Sequence, residues 1–305
     1  MSVSLRDRAV DLAAGLIARV RGTARHRGDA LVLAYHNIVS DGSAPSGDCS
    51  LHLPLSRFRA QLDVLQESFD VVPLDAALQE SPAGSRPRVA ITFDDAYRGA
   101  VTLGFDELRR RGLPATVFVA PGLLGIRTTW WDAMAEGWLH DPTAVLRDAC
   151  LATGASLGDV RALAEADGLA WREAPPELAI ATAGELAGAV DAGITVGAHT
   201  WDHVNLAIWR DDWTEQQLVA PLRWLRETFP DRWRPWLALP FGLDSEAALT
   251  AAGAQGYDRF FFVSGGWRRG IASGGREPRF NVPSGATASR FRLRISIPDR
   301  RLRVA

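Results

Sequence analysis

Short apolar, partly β-branched runs alternate with helical stretches along most of this chain, and no other feature constrains its fold as much. Ala30–Tyr35, Val89–Phe93, Ala115–Val119, Ile194–Ala198, Trp236–Leu239 and Arg259–Val263 read as buried strands. Ser56 opens a helix with Phe58, Leu62 and Leu65 on one face, and Leu74–Gln79 forms another. Val101–Arg111 is a third helix, stopping at Gly112, and further helices cover 182–191, 214–228 and 245–252. Strands separated by helices pair in parallel through right-handed crossovers, so the expected fold is α/β. With the extended piece at Asp70–Pro73, about seven strands are expected. Gly265 to Gly275 reads as a loop, and the C-terminus as short and Arg-rich.

The alternation breaks once. Trp130, Trp131 and Asp132 read as a loop, and Ala-rich helices without a strand follow. Residues of about 122–180 are therefore expected to be an α-helical insertion in one domain spanning 30–305. Residues 1–29 stand apart as an amphipathic helix, with Leu5, Ala9, Leu12, Leu16 and Val20 on one face, and a polar linker. That helix packs on the domain or on a partner, or lies on a membrane surface. No run is apolar for long enough to span a bilayer, and the N-terminus lacks the apolar core of a signal peptide. The expected location is the cytoplasm, with peripheral contact at the inner face of the membrane as the one membrane option.

Composition removes several functions. A net charge of -2 gives no case for nucleic acid as partner. The 34 basic residues are all Arg, which excludes a lysine Schiff base or lysine nucleophile. Cys49 and Cys150 are far apart and read as free thiols.

The strand ends carry the chemistry. Val89–Phe93 runs directly into Asp94 and Asp95, and ligand chemistry gathers at the C-terminal ends of parallel strands. Adjacent carboxylates repel, and a divalent metal is the usual remedy. Capping of the helix that begins near Gly99 is the alternative reading. Ile194–Ala198 delivers His199, with His203 four residues later. That spacing puts two imidazoles on one face of a helical turn. Two His and one carboxylate, with positions open for water, form a recognised catalytic metal set.

Thr92-Phe93-Asp94-Asp95, His199-Thr200-Trp201-Asp202-His203 and Leu239-Pro240-Phe241-Gly242, in this order, resemble the motif series of the polysaccharide deacetylases. These are the nodulation-protein-B-type hydrolases, carbohydrate esterase family four, and the resemblance covers roughly residues 30 to 295. It implies a distorted, incomplete (β/α) barrel and removal of an N-acetyl group from a sugar. It further implies Asp94 as general base and Asp95, His199 and His203 as ligands of one divalent ion, usually zinc. The backbone around Pro240 and Phe241 would help hold the oxyanion.

Three departures accompany the resemblance. Ala238 stands where the third motif begins with an Arg that positions the base, leaving Arg98 or Arg234 as substitutes. Ala96 replaces the commoner Gly after the Asp pair. The late general-acid His is missing around Asn281-Val282-Pro283. Ala34-Tyr35-His36-Asn37-Ile38 instead resembles the N-terminal Tyr-His segment of a permuted branch that includes the poly-N-acetylglucosamine deacetylases. That likeness implies His36 as the acid; a buried structural His is the alternative. His26 in the linker, His52 in a loop and His140 in the insertion are poorer candidates.

This chemistry suits an acetamide, whose carbonyl is a weak electrophile and whose amine leaves only when protonated. Trp130, Trp131, Trp201 and Trp267 lie on loops near strand ends, where they are candidates to stack on a sugar, and Asp132 is a candidate to orient His36 or touch substrate. The reading is a metal-dependent hydrolase of an N-acetylated carbohydrate. Its rivals are a hydrolase of another amide on the same fold and an inactive carbohydrate-binding or scaffold protein.

Overall fold

The computed structural model describes residues 26–82, 84–134, 144–166, 168, 171, 173–263, 265–268 and 273–296. The amphipathic helix expected over residues 5–20, and His140, lie outside them. No helix among the described residues is long and apolar enough to cross a membrane.

The sheet is built on parallel strands β1 (Ala30–Tyr35), β5 (Arg88–Phe93), β6 (Thr116–Val119), β7 (Thr195–Ala198), β8 (Trp233–Ala238) and β9 (Arg259–Phe262), side by side in that order. A two-residue β4 (Asp70–Val71) adds to β5. Asn37–Val39 (β2) and His52–Pro54 (β3) form a separate parallel pair. The fold is thus α/β with a nearly closed barrel.

Closure comes from a region the sequence leaves featureless. Trp267–Arg268 (β10) runs antiparallel to β1. Arg276–Pro278 (β11) pairs with β9, and Phe280–Asn281 (β12), one residue later, pairs with β1. One extended segment therefore links the first strand to the last, with Arg279 at its midpoint. A helix over Ala288–Ser296 then packs on the helix Leu55–Ser68. The expectation of a loop over 265–275 is corrected at Trp267–Arg268, which is strand. Ladders of two or three residues are too short to show a period of two.

Strand alternation sorts the core into two layers. Val32, Ala90, Phe118, Ala238 and Phe261 fill the barrel interior with Leu74, Ala77 and Leu78. Leu31, Leu33, Ile91, Phe93 and Val117 face the helices in the larger cluster. Gly197 makes room for the interior plug, since a Cβ there would lie 2.7 Å from the Phe118 ring. Gly99 likewise admits β2, because its Cβ would meet the Ile38 carbonyl at 2.0 Å. The helix over Phe105–Arg111 ends at Gly112 in the left-handed conformation, as expected. Residues 130–166 contain helices Trp130–Ala133, Ala144–Ala152 and Leu157–Ala166 around a small core of Trp130, Met134, Cys150 and Val160, so the loop expected at Trp130–Asp132 is corrected to a short helix. Cys49 and Cys150 are unpaired, as read from their spacing.

Candidate active site

Ala90, Thr92 and Asp94 share the inward face of β5, because successive strand residues alternate sides. By the same alternation Val32, Ala34 and His36 point inward at the end of β1, and Gly197 and His199 at the end of β7. The strand ends converge on one cavity of about 600 Å³, lined by His36, Asp94, Asp95, His199 and His203, with Trp131 and Phe241 in its wall.

The turns that leave these strands are strained. Asp95, Ala96, Thr200, His203 and Phe241 all have φ between 56° and 67°, a region that costs a non-glycine residue about 1 kcal/mol or more. Ala96 sits where a glycine would adopt this conformation without strain, which explains the commoner Gly in that motif. Such clustering marks a place where side-chain direction overrides backbone comfort.

Asp95, His199 and His203 bring one ligand atom each within 4.8 Å of one another, and all three are buried. Asp95 Oδ1 lies 3.2 Å from His203 Nε2 and 3.5 Å from His199 Nε2. His199 Nδ1 donates to the Ala238 carbonyl at 2.8 Å, which leaves Nε2 as a lone-pair donor facing the site. Burial lowers His199 to a pKa of about 4 and His203 to about 3, so both imidazoles are neutral near pH 7. Burial raises the Asp95 pKa, and its Oδ1 is buried without a hydrogen-bond donor among the described residues. An orphaned carboxylate oxygen between two imidazole lone pairs fits a divalent cation of the zinc type.

Asp94 differs from its neighbour because it has a counter-charge. Arg279 Nη1 donates to Asp94 Oδ1 at 2.6 Å and Nη2 to Oδ2 at 2.8 Å. Burial works against the carboxylate, but the Arg279 guanidinium overrides it and holds Asp94 well below the usual carboxylate range. Arg279 is fully buried, stacks over Phe118 at 5.2 Å and reaches Thr92 Oγ1. The substitutes expected for the missing motif Arg are corrected: Arg98 pairs with Glu185 and Arg234 with Asp75, both at the surface. The partner of Asp94 comes from the closing segment, and Ala238 contributes its carbonyl to His199 instead.

His36 faces the cavity, with no hydrogen bond to it among the described residues. Burial lowers its pKa below the ordinary histidine value, although the Asp94 and Asp95 carboxylates act in the opposite sense. Asp132 does not orient it. That carboxylate is fully buried and accepts from His52 Nε2 (3.0 Å), the Asp48 amide (2.8 Å), Tyr97 Oη (2.7 Å) and Thr129 Oγ1 (2.9 Å). Tyr97 in turn accepts from Trp131 Nε1 at 2.7 Å, and the Trp131 ring lies 4.6 Å from that of His203. Asp132 is thus a tie between the 48–52 segment and Trp131, and His52, expected in a loop, belongs to β3 and to this tie. Gly47 fits beneath it only without a side chain, as its Cβ would lie 2.5 Å from Asp132 Oδ1.

Of the aromatic candidates, Trp130, Trp131 and Phe241 line the cavity. Trp201 and Pro240 are outside its lining: Trp201 packs beside Gly122 behind the turn, and Pro240 is buried under it. The left-handed turn at Thr200 carries the Trp201 side chain away from the site. Trp267 stacks on His26 at 3.9 Å near the start of β1 and is not among the residues that line the cavity.

The family model described as "Polysaccharide deacetylase" matches residues 82–260. No curated protein matches the chain significantly in sequence. Among solved structures, a polysaccharide deacetylase from Bacillus cereus is similar at 14% identity and a TM-score of 0.61, over 87% of this chain and 68% of that one. Deacetylase PplD from Streptococcus pyogenes, in complex with acetate, is similar at 16% identity and a TM-score of 0.60, over 88% and 99%. IcaB from Ammonifex degensii is similar at 18% identity and 0.57, over 84% and 92%. At these identities the structural likeness shows the fold.

Proposed function

Because the chain belongs to the polysaccharide deacetylase family, we propose that it hydrolyses the N-acetyl group of an acetylated carbohydrate with a divalent ion held by Asp95, His199 and His203. The observation that carries this reading is the meeting of these three ligand atoms beside Asp94 and His36 in one cavity. The orphaned Asp95 oxygen and the two neutral imidazoles fit such an ion, and zinc suits the donor set. When bound, the ion supplies Lewis acidity toward water and toward the acetamide carbonyl.

The chain's own groups do the rest. Asp94, kept ionised by Arg279, accepts the proton of the attacking water. The Phe241 amide, at the cavity wall, donates to the developing oxyanion. His36, across the cavity, gives its proton to the departing amine. Trp131 is held against His203 by Tyr97 and Asp132, and presents its ring to the sugar or its acetyl group. The inactive-scaffold alternative drew its support from Ala238 in place of an Arg. Arg279 removes that support, because the base has its guanidinium partner.

Purified protein is expected to carry about one divalent ion and to release acetate from at least one member of a panel of N-acetylated sugars and oligosaccharides. The His199→Ala/His203→Ala double variant should lose both properties. Stoichiometric metal in the double variant overturns the ligand assignment. Metal-loaded wild type that releases no acetate from any acetylated sugar overturns the substrate class.

A further inference from the structure

A second cavity lies at the opposite end of the barrel, where the parallel strands begin. It has a volume of about 210 Å³ and is bounded by Ala30, Gln79, Glu80, Ser81, Arg88 and Arg268. Arg88 is the first residue of β5, whose far end delivers Asp94. Its Nη1 and Nη2 donate to the carbonyls of Ala76 at 2.6 Å and Gln79 at 2.5 Å, and its Nε–H is buried with no acceptor. Arg268, 5% exposed, donates Nε to Glu277 at 2.7 Å, and its Nη2 is buried with no acceptor. Among the described residues each guanidinium thus has a donor without an acceptor, and such a buried donor is costly.

Charge points the same way. Glu277 is shared between Arg268 and Arg259, so it does not neutralise both. Burial and then the Arg268 charge lower the Arg88 pKa, as expected of two cations on one cavity. Glu80 is the acid in the lining, and it is exposed.

We propose that this cavity binds a small oxyanion of the phosphate class, held by the charge of the Arg88 and Arg268 guanidinium groups that line it. Guanidinium N–H groups match phosphate oxygens in charge and spacing. An anion there is separated from Asp94 by the length of β5, so it stabilises the strand starts without competing with substrate.

Thermal unfolding of the full chain in inorganic phosphate, compared with chloride at equal ionic strength, tests the site. The melting temperature should rise by roughly 2–4 °C in saturating phosphate. Arg88→Gln should lose that rise. Ser81→Asp should lose it too, by adding a negative charge to the wall while leaving the bonds of both arginines intact, and acetate release should be unchanged in that variant. Flotation on phosphatidic-acid vesicles but not on neutral ones, abolished by Ser81→Asp, would assign the bound phosphate to a lipid headgroup. Equal melting temperatures in phosphate and chloride, with no flotation, overturn the site. So does a phosphate effect that survives both substitutions.

Discussion

Asp94→Asn is expected to keep about one divalent ion per chain and to lose about 10²–10⁴ in kcat, the range typical of a lost proton acceptor. Asp94 contributes no atom to the Asp95, His199 and His203 cluster, and its two oxygens are committed to Arg279. Metal titration beside steady-state kinetics measures both quantities; an Asp94→Asn enzyme that loses metal as Asp95→Asn does would make Asp94 a ligand. Arg279→Leu tests the other half of the pair. It strands a buried carboxylate and should cost about 3–5 kcal/mol of stability at pH 7, measured by urea unfolding. The Asp94 pKa is depressed in the folded protein, so the pair stabilises above the ordinary carboxylate pKa of about 3.9 and loses that contribution only as pH falls below it. Without Arg279, burial is opposed only by the neighbouring imidazoles, the Asp94 pKa rises, and the acid limb of kcat/KM moves to higher pH. Arg279→Leu with wild-type stability and an unmoved acid limb would contradict the account.

His36→Ala is expected to retain metal and fold and to lose about 10²–10⁴ in kcat. Among the described histidines, His199 and His203 are assigned to the metal, His52 is bonded to Asp132 and His26 stacks on Trp267 away from the site. His36 alone is left facing the cavity for proton donation to an amine. With its pKa below the usual histidine value, it keeps its proton only toward acid pH. Wild-type turnover should therefore fall as pH rises on the acid side of the ordinary histidine value, and that basic limb should flatten in the variant. A His36→Ala enzyme with wild-type kcat across the pH range would remove both the role and the likeness to the permuted branch.

The sequence shows the site wherever chemistry sits at the end of a long apolar strand. Asp94, Asp95, His199 and His36 follow runs of four to six strand residues, and strand ends on one face of a barrel converge. Arg279 has no such signal. It is separated from Asp94 by 185 positions and lies between ladders of three and two residues. The Asp132 tie is equally silent, because Asp48, His52, Tyr97 and Trp131 come from unrelated segments and meet only in three dimensions. A signal was nevertheless present for Arg279: an Arg next to Pro278, in a chain whose third motif lacks the Arg expected beside Asp94. Trp201 fails for a local reason, since direction after a strand end depends on the sign of φ at Thr200, and residue type alone does not give it.

Ring closure by residues 276–281 also sets an order of events during folding. Strands β1, β5 and β6 can associate early, because the separations they span are short compared with that between β1 and β12. Until β11 and β12 dock, Asp94 has no guanidinium beside it, and a half-built barrel that buried it would bury a bare charge. The inward end of β5 must then stay wet, or its carboxylate protonated, while the rest of the sheet assembles. On the ribosome the same logic holds from the first strand onward, since the counter-ion is synthesised long after the residue it neutralises. The reactive centre is consequently the last part of the barrel to become dry, and partly folded chains do not possess it.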